Sequence, residues 1–141
     1  MTQEDKDLLL RDLCARLPYG VKGVEANTLC SLNTVTRFKS IVKNIEYKIE
    51  HLGFKPYLFP QSSMTEEQFV ELKVFADLTY EGNTLELVEW NDNCKTLEFW
   101  LEEIPSYELI KEFDWLNKNH YDYRGLIERG LAIDCTILNI Y

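Results

Sequence analysis

Leu9, Leu10, Leu13 and Leu17 recur at helical spacing directly in front of Pro18 and Gly20. That pattern commits the first part of the chain to one amphipathic helix with a defined stop, because proline cannot continue a helix and glycine favours its end. Thr2 predicts the start. Its hydroxyl can accept the free backbone N–H of Asp5, and Glu4, Asp5 and Asp7 suit the positive end of the helix dipole. The expected helix runs from about Gln3 to Leu17.

The next stretch, Val21 to Leu52, has a different grain. It is rich in Val, Thr, Ile and Tyr, and Ile45, Tyr47 and Ile49 alternate with Glu46, Lys48 and Glu50. Alternation places the two sets on opposite faces of a strand. Gly23, Ala26-Asn27 and Asn33-Thr34 are the turn candidates, so three or four short antiparallel strands are expected, as a meander or small barrel. A helix over Ser40–His51 competes with that reading, since Ile41, Ile45 and Ile49 are also four apart.

Beyond it, Lys55-Pro56-Tyr57-Leu58-Phe59-Pro60 must be extended or turned, because it is bounded by prolines. Thr65 with Gln68 forms a capping box, and Met64 with Phe69 stands near hydrophobic-staple spacing, which predicts a helix from Glu66 to about Leu78. Gly82-Asn83 closes that region. Leu85-Glu86-Leu87 and Leu97-Glu98-Phe99, with Asn91-Asp92-Asn93 between them, read as a hairpin carrying Trp90 and Trp100 near its ends. Ser106 can cap a further helix, with Leu109, Phe113, Leu116 and His120 along one side. Asp122 and Gly130 bound a short last helix. The whole reads as a single α+β domain over residues 1–141: an N-terminal helix, a small antiparallel meander or barrel, a capped middle helix, a hairpin and a C-terminal helix pair.

At 141 residues the chain is long enough to bury a core without staples. No stretch approaches the ~20 apolar residues of a membrane helix, and the polar, acidic N-terminus lacks the pattern of a secretory signal. A cytoplasmic protein with no membrane partner is expected. Cys14, Cys30, Cys94 and Cys135 are scattered, without C-x-x-C spacing, and read as reduced thiols. The net charge of −9 is uneven. Residues 1–60 hold nine basic and seven acidic side chains, for +2, whereas residues 61–141 hold six and seventeen, for −11. An acidic half repels phosphate backbones and weighs against general nucleic-acid binding. A local contact through Arg37, Lys39, Lys43 and Lys48 is the weaker alternative. The acidic run from Glu66 to Asp114 fits the solvated face of its helices and strands better than mimicry of DNA.

The densest chemistry lies in His120-Tyr121-Asp122-Tyr123-Arg124. A histidine beside a carboxylate suits general-base work, and arginine suits an anion. A small hydrolase or transferase using His120 and Asp122 is therefore one reading. It lacks an accompanying nucleophile, and a metal set of His120, Asp122, Asp134 and Cys135 lacks the tight pairing of ligands. No cofactor, metal or catalytic residue is assigned. The structural account is that Asp122 caps a helix, Arg124 pairs with Glu128, and His120 closes the preceding helix. Tyrosines in such a loop are also natural contacts for another protein, so His120, Tyr121, Asp122, Tyr123 and Arg124 are the candidate partner-binding residues. The best reading is a small non-catalytic interaction protein whose partner is another protein; the oligomeric state is open.

Three segments carry a family resemblance. Leu8 to Val21, Lys55 to Pro60 with Ser62 to Glu67, and Asp114 to Ile127 running on to Gly130-Leu131-Ala132 together resemble an uncharacterised family of small hypothetical proteins from gut anaerobic bacteria and their phages. The resemblance covers roughly 50 of the 141 residues and implies a bacterial or phage cytoplasm, with no reaction attached. It also suggests constant ends around variable strands, a design that suits retuning a binding surface at little cost to the core.

Overall fold

The computed structural model describes residues 1–32, 40–76 and 110–141, and it is of the α+β class. The chain divides into two compact units, residues 1–59 with 124–141, and residues 60–123.

The first unit opens with helix α1, Gln3–Arg16. Thr2 accepts the Asp5 N–H at 3.1 Å while the Asp5 carboxylate accepts the Thr2 N–H at 3.3 Å, a reciprocal cap that satisfies two otherwise orphaned donors. A 3₁₀ turn over Leu17–Tyr19 and a left-handed Gly20 end it, as the sequence requires. Strands β1, Lys22–Glu25, and β2, Thr28–Ser31, form a hairpin around Ala26-Asn27, both at positive φ. Two left-handed residues in a two-residue loop give the backbone twist that antiparallel strands need.

The alternation expected to continue into strands over residues 45–49 gives way to helix α2, Ile41–Leu52. Ser40 caps it, accepting from the Lys43 N–H at 3.5 Å, and Gly53 closes it in the left-handed region with its N–H on the Lys48 carbonyl. Ile45 and Ile49 go inward, whereas Tyr47 stays exposed. The four-residue spacing thus prevails over the two-residue spacing, because both ends carry helix caps and a core-facing stripe needs only the isoleucines.

Strand β3, Lys55–Pro60, is antiparallel to β1, with Gly23 opposite Pro56 and Val24 opposite Lys55. A short strand β5, Ile133–Asp134, lies parallel to β3. The sheet is mixed and open, and does not close into the barrel considered from sequence. Leu9, Leu13, Val21, Ile45, Ile49, Phe54, Leu58, Leu126 and Leu131 meet in one core between the helices and this sheet. Gly23 is required there. A Cβ would lie 2.5 Å from the Lys55 carbonyl oxygen and 2.5 Å from the Phe54 ring.

In the second unit, α3, Glu66–Ala76, begins on the expected capping box: Thr65 Oγ1 accepts the Gln68 N–H at 3.2 Å, and Gln68 Oε1 accepts the Thr65 N–H at 2.9 Å. Met64 and Phe69, at staple positions, are both buried. Helix α4, Ile110–Lys118, packs against α3. The two-residue strand β4, Tyr121–Asp122, follows it. The hairpin expected over 85–99, Gly82-Asn83, Trp90, Trp100, Ser106 and Asn33-Thr34 lie outside the described residues.

The last helix of the expected C-terminal pair is absent. Residues 126–130 form turns in which the Leu126 carbonyl accepts both the Leu131 and Ala132 N–H groups. Gly125 and Gly130, both left-handed, stand too close together to admit a helix between them.

Candidate functional site

The loop that concentrates chemistry in the sequence is mostly interior. His120, Tyr121 and Asp122 are 7%, 3% and 8% exposed, and Tyr123 is half-buried. His120 closes α4 at φ 63°, a left-handed position that histidine tolerates better than branched residues do, with its N–H on the Asn117 carbonyl at 3.2 Å. The Tyr121 hydroxyl donates to Gln68 Oε1 at 2.6 Å, and its ring stacks on Trp115 at 5.7 Å. Burial, with Glu71 nearby, pushes the Tyr121 phenol up to about 12, so it stays a donor. The Tyr123 hydroxyl donates to Asn117 Oδ1 at 3.1 Å, and its ring meets Phe113. These contacts lie within the second unit, whereas Arg124 belongs to the first.

Two expectations about this loop need correction. Asp122 caps no helix, because it sits in β4 and turns follow it. Arg124 reaches Asp12, with Nε 3.2 Å from Oδ1, and the helix that would have set it one turn from Glu128 does not form.

Asp12 is itself the most committed carboxylate described. Arg16, one turn along α1, grips it with Nε at 2.7 Å and Nη2 at 3.0 Å, and both side chains are fully buried. One carboxylate thus sits between two guanidiniums. Such a bidentate pair is the geometry that holds a buried charge, since it satisfies several donors and acceptors at once. Arg129 extends the tether at the other end of α1, 3.0 Å from Asp5 and 3.5 Å from Glu4. Between them lies an open depression of about 490 Å³, lined by Glu4, Asp7, Leu8, Arg11, Arg124 and Arg129. Carboxylates and guanidiniums interleave there, so the site has no single-signed field for a polyanion.

Nucleophile and metal chemistry find little support among the described residues. Burial pushes the Cys135 thiol up to about 11, helped by Asp134, and raises Cys14 and Cys30 as well. All three are free and remain protonated at neutral pH, which is the unreactive form. Among the described residues no three His, Cys, Asp or Glu side chains gather as ligands, and His120, Asp122, Asp134 and Cys135 do not form the set considered from sequence. Of the basic candidates, Lys48 pairs with Glu25 and Lys43 is exposed; Arg37 and Lys39 lie outside the described residues.

What the first unit does present is the outer face of α2. Val42 and Tyr47 are 45% and 40% exposed, and the Tyr47 ring stacks on His51 at 4.5 Å and 17°. Lys43 and Glu46 lie on the same open face, and at its margin Glu50 pairs with Lys6 at 3.2 Å. The strand reading hid this surface. The competing helix over Ser40–His51 exposes it, and Ser40 as an N-cap is the further signal that favours that helix. No helix among the described residues is long and apolar enough to cross a membrane. No family model, curated protein or solved structure matches the chain.

Proposed function

We propose that this chain is a small non-catalytic interaction protein that binds another protein in the cytoplasm of a bacterial or phage-infected cell, as an accessory of a phage or mobile element. The setting rests on the family resemblance of residues 8–21, 55–67 and 114–132. The contact rests on one observation: an aromatic pair, Tyr47 on His51, is already stacked on the open face of α2 beside exposed Val42. Tyrosine gives large contact area with few rotors to freeze, and stacking removes part of that freedom before any partner arrives.

The loop at 120–124 is read as framework in this proposal. Its histidine ends a helix, its first tyrosine is bonded inside the second unit, and its arginine is held by Asp12. Groups so committed offer little surface to a partner or substrate.

The test is position-specific photo-crosslinking in a native host. A photoreactive phenylalanine analogue at Tyr47 is expected to give one discrete protein adduct, which disappears when Val42→Asp is added. The same analogue at exposed Lys118 is expected to give none. Equal adducts from both positions, or none from Tyr47, would contradict the proposal.

A further inference from the structure

Strands β1 and β3 part company at Lys22 and Tyr57. Their register pairs Gly23 with Pro56 and Val24 with Lys55, so Lys22 and Tyr57 are the next pair along. Something else fills that step. The Tyr141 hydroxyl accepts the Lys22 N–H at 3.0 Å and donates to the Tyr57 carbonyl at 2.9 Å. The same hydroxyl lies 3.3 Å from the Lys22 carbonyl, the longer alternative for its single proton.

The surroundings suit a phenol as a whole. The Lys22 ammonium lies 5.6 Å from the ring centroid and donates to the Ile140 carbonyl at 2.8 Å. Phe59 meets the ring at 6.1 Å and 50°, a tilted aromatic contact. A donor, an acceptor, a cation near the ring and an aromatic wall thus converge from residues 22, 57 and 59. Only the ligand comes from another segment, Thr136–Tyr141, which follows β5 without further helix or strand.

We propose that the split in the β1–β3 ladder is a binding socket for a para-substituted phenol, occupied in cis by Tyr141. The backbone pair of Lys22 and Tyr57 selects the hydroxyl, and Phe59 with the Lys22 ammonium selects the ring. With the Tyr141 side chain removed, the same socket takes a free para-substituted phenol in its place. This inference is independent of the α2 contact.

Chemical rescue tests it, with amide hydrogen exchange in the full chain as the readout. In Tyr141→Ala the Lys22 amide is expected to exchange about tenfold faster or more, as for the loss of one backbone-directed hydrogen bond. Addition of p-cresol restores its protection, whereas toluene, which lacks the hydroxyl, does not. The amides of Leu32 and Cys135, bonded to Val21 and Leu58, are the internal controls and keep their rates. Failure of p-cresol to restore protection, or equal rescue by toluene, overturns the socket. Tyr141→Phe supplies a second arm in case the alanine variant unfolds. It keeps the ring and is expected to accelerate Lys22 alone; an unchanged Lys22 rate, or equal acceleration at Leu32 and Cys135, overturns the proposal too.

Discussion

At the scale of single residues, Asp12 carries the largest electrostatic commitment described. It is fully buried with Arg16, and Arg124 approaches from a distant part of the chain. Asp12 takes two charge-assisted bonds from the buried Arg16, and removing the carboxylate breaks both inside the core. Asp12→Ala is therefore expected to cost about 3–5 kcal/mol, measured by urea unfolding. Replacing the fully buried pair by apolar residues, as Asp12→Leu with Arg16→Met, is expected to recover most of that loss, because Arg124 is partly exposed and can turn to solvent. A double variant as unstable as Asp12→Ala would show that Arg124 cannot manage alone. Gly23 is the steric counterpart. Gly23→Ala places a methyl against backbone and a buried ring, and a loss of about 1–3 kcal/mol is expected from the forced shift. The network around Asp12 also explains what sequence could not show about Arg124. Its chemistry was legible, but its partner was fixed by tertiary folding, and no local spacing points from Arg124 to Asp12.

At the scale of elements, the caps were the most legible features. Thr2 with Asp5 and Thr65 with Gln68 form reciprocal bonds within three residues, so sequence alone contains both partners. Thr65→Ala is expected to lower stability by about 1 kcal/mol in thermal or urea melts. Residues 41–52 were harder because two periods coincide on the same isoleucines, and Tyr47 belongs to the buried set in one and the exposed set in the other. The helix expected between Asp122 and Gly130 fails to form for another reason. Asp122 and Gly130 carry the right end signals, yet Gly125 at φ 71° interrupts the span between them. The β1–β2 turn offers an element-scale test. Ala26 and Asn27 hold φ values of 48° and 63°, and the preferred pair for such a turn is Asn-Gly. The double change Ala26→Asn, Asn27→Gly is expected to raise stability by about 0.5–1 kcal/mol in the same melts. No gain would mean that the strain is relieved elsewhere in the hairpin.

At the scale of the whole molecule, two phenols bear on alkaline stability, Tyr121 buried and Tyr141 hydrogen-bonded to backbone but partly exposed. Tyr121 and Tyr141 are both raised from 10 to about 12, chiefly by burial. A raised folded pKa favours the protonated state on folding. The contribution is complete below pH 10 and is lost as pH climbs toward 12. Unfolding free energy is thus expected to fall between about pH 10 and 12, and Tyr141→Phe is expected to flatten part of that slope. A pH-independent profile over that range would contradict both raised values. The charge imbalance has no such local reading, since most of the acidic run from Glu66 to Asp114 lies outside the described residues.

The central claim is that the contact surface is the open face of α2 and that the chemistry-rich loop is framework. One paired capture experiment separates these roles. The photoreactive analogue is placed at Val42, and adduct yield per folded molecule is measured in two variants, Tyr47→Asp and His120→Asn. Asparagine tolerates the left-handed backbone at position 120, so that variant keeps the helix end. The account predicts that the adduct is lost with Tyr47→Asp and retained with His120→Asn. Retention with Tyr47→Asp, or loss with a folded His120→Asn, would contradict it.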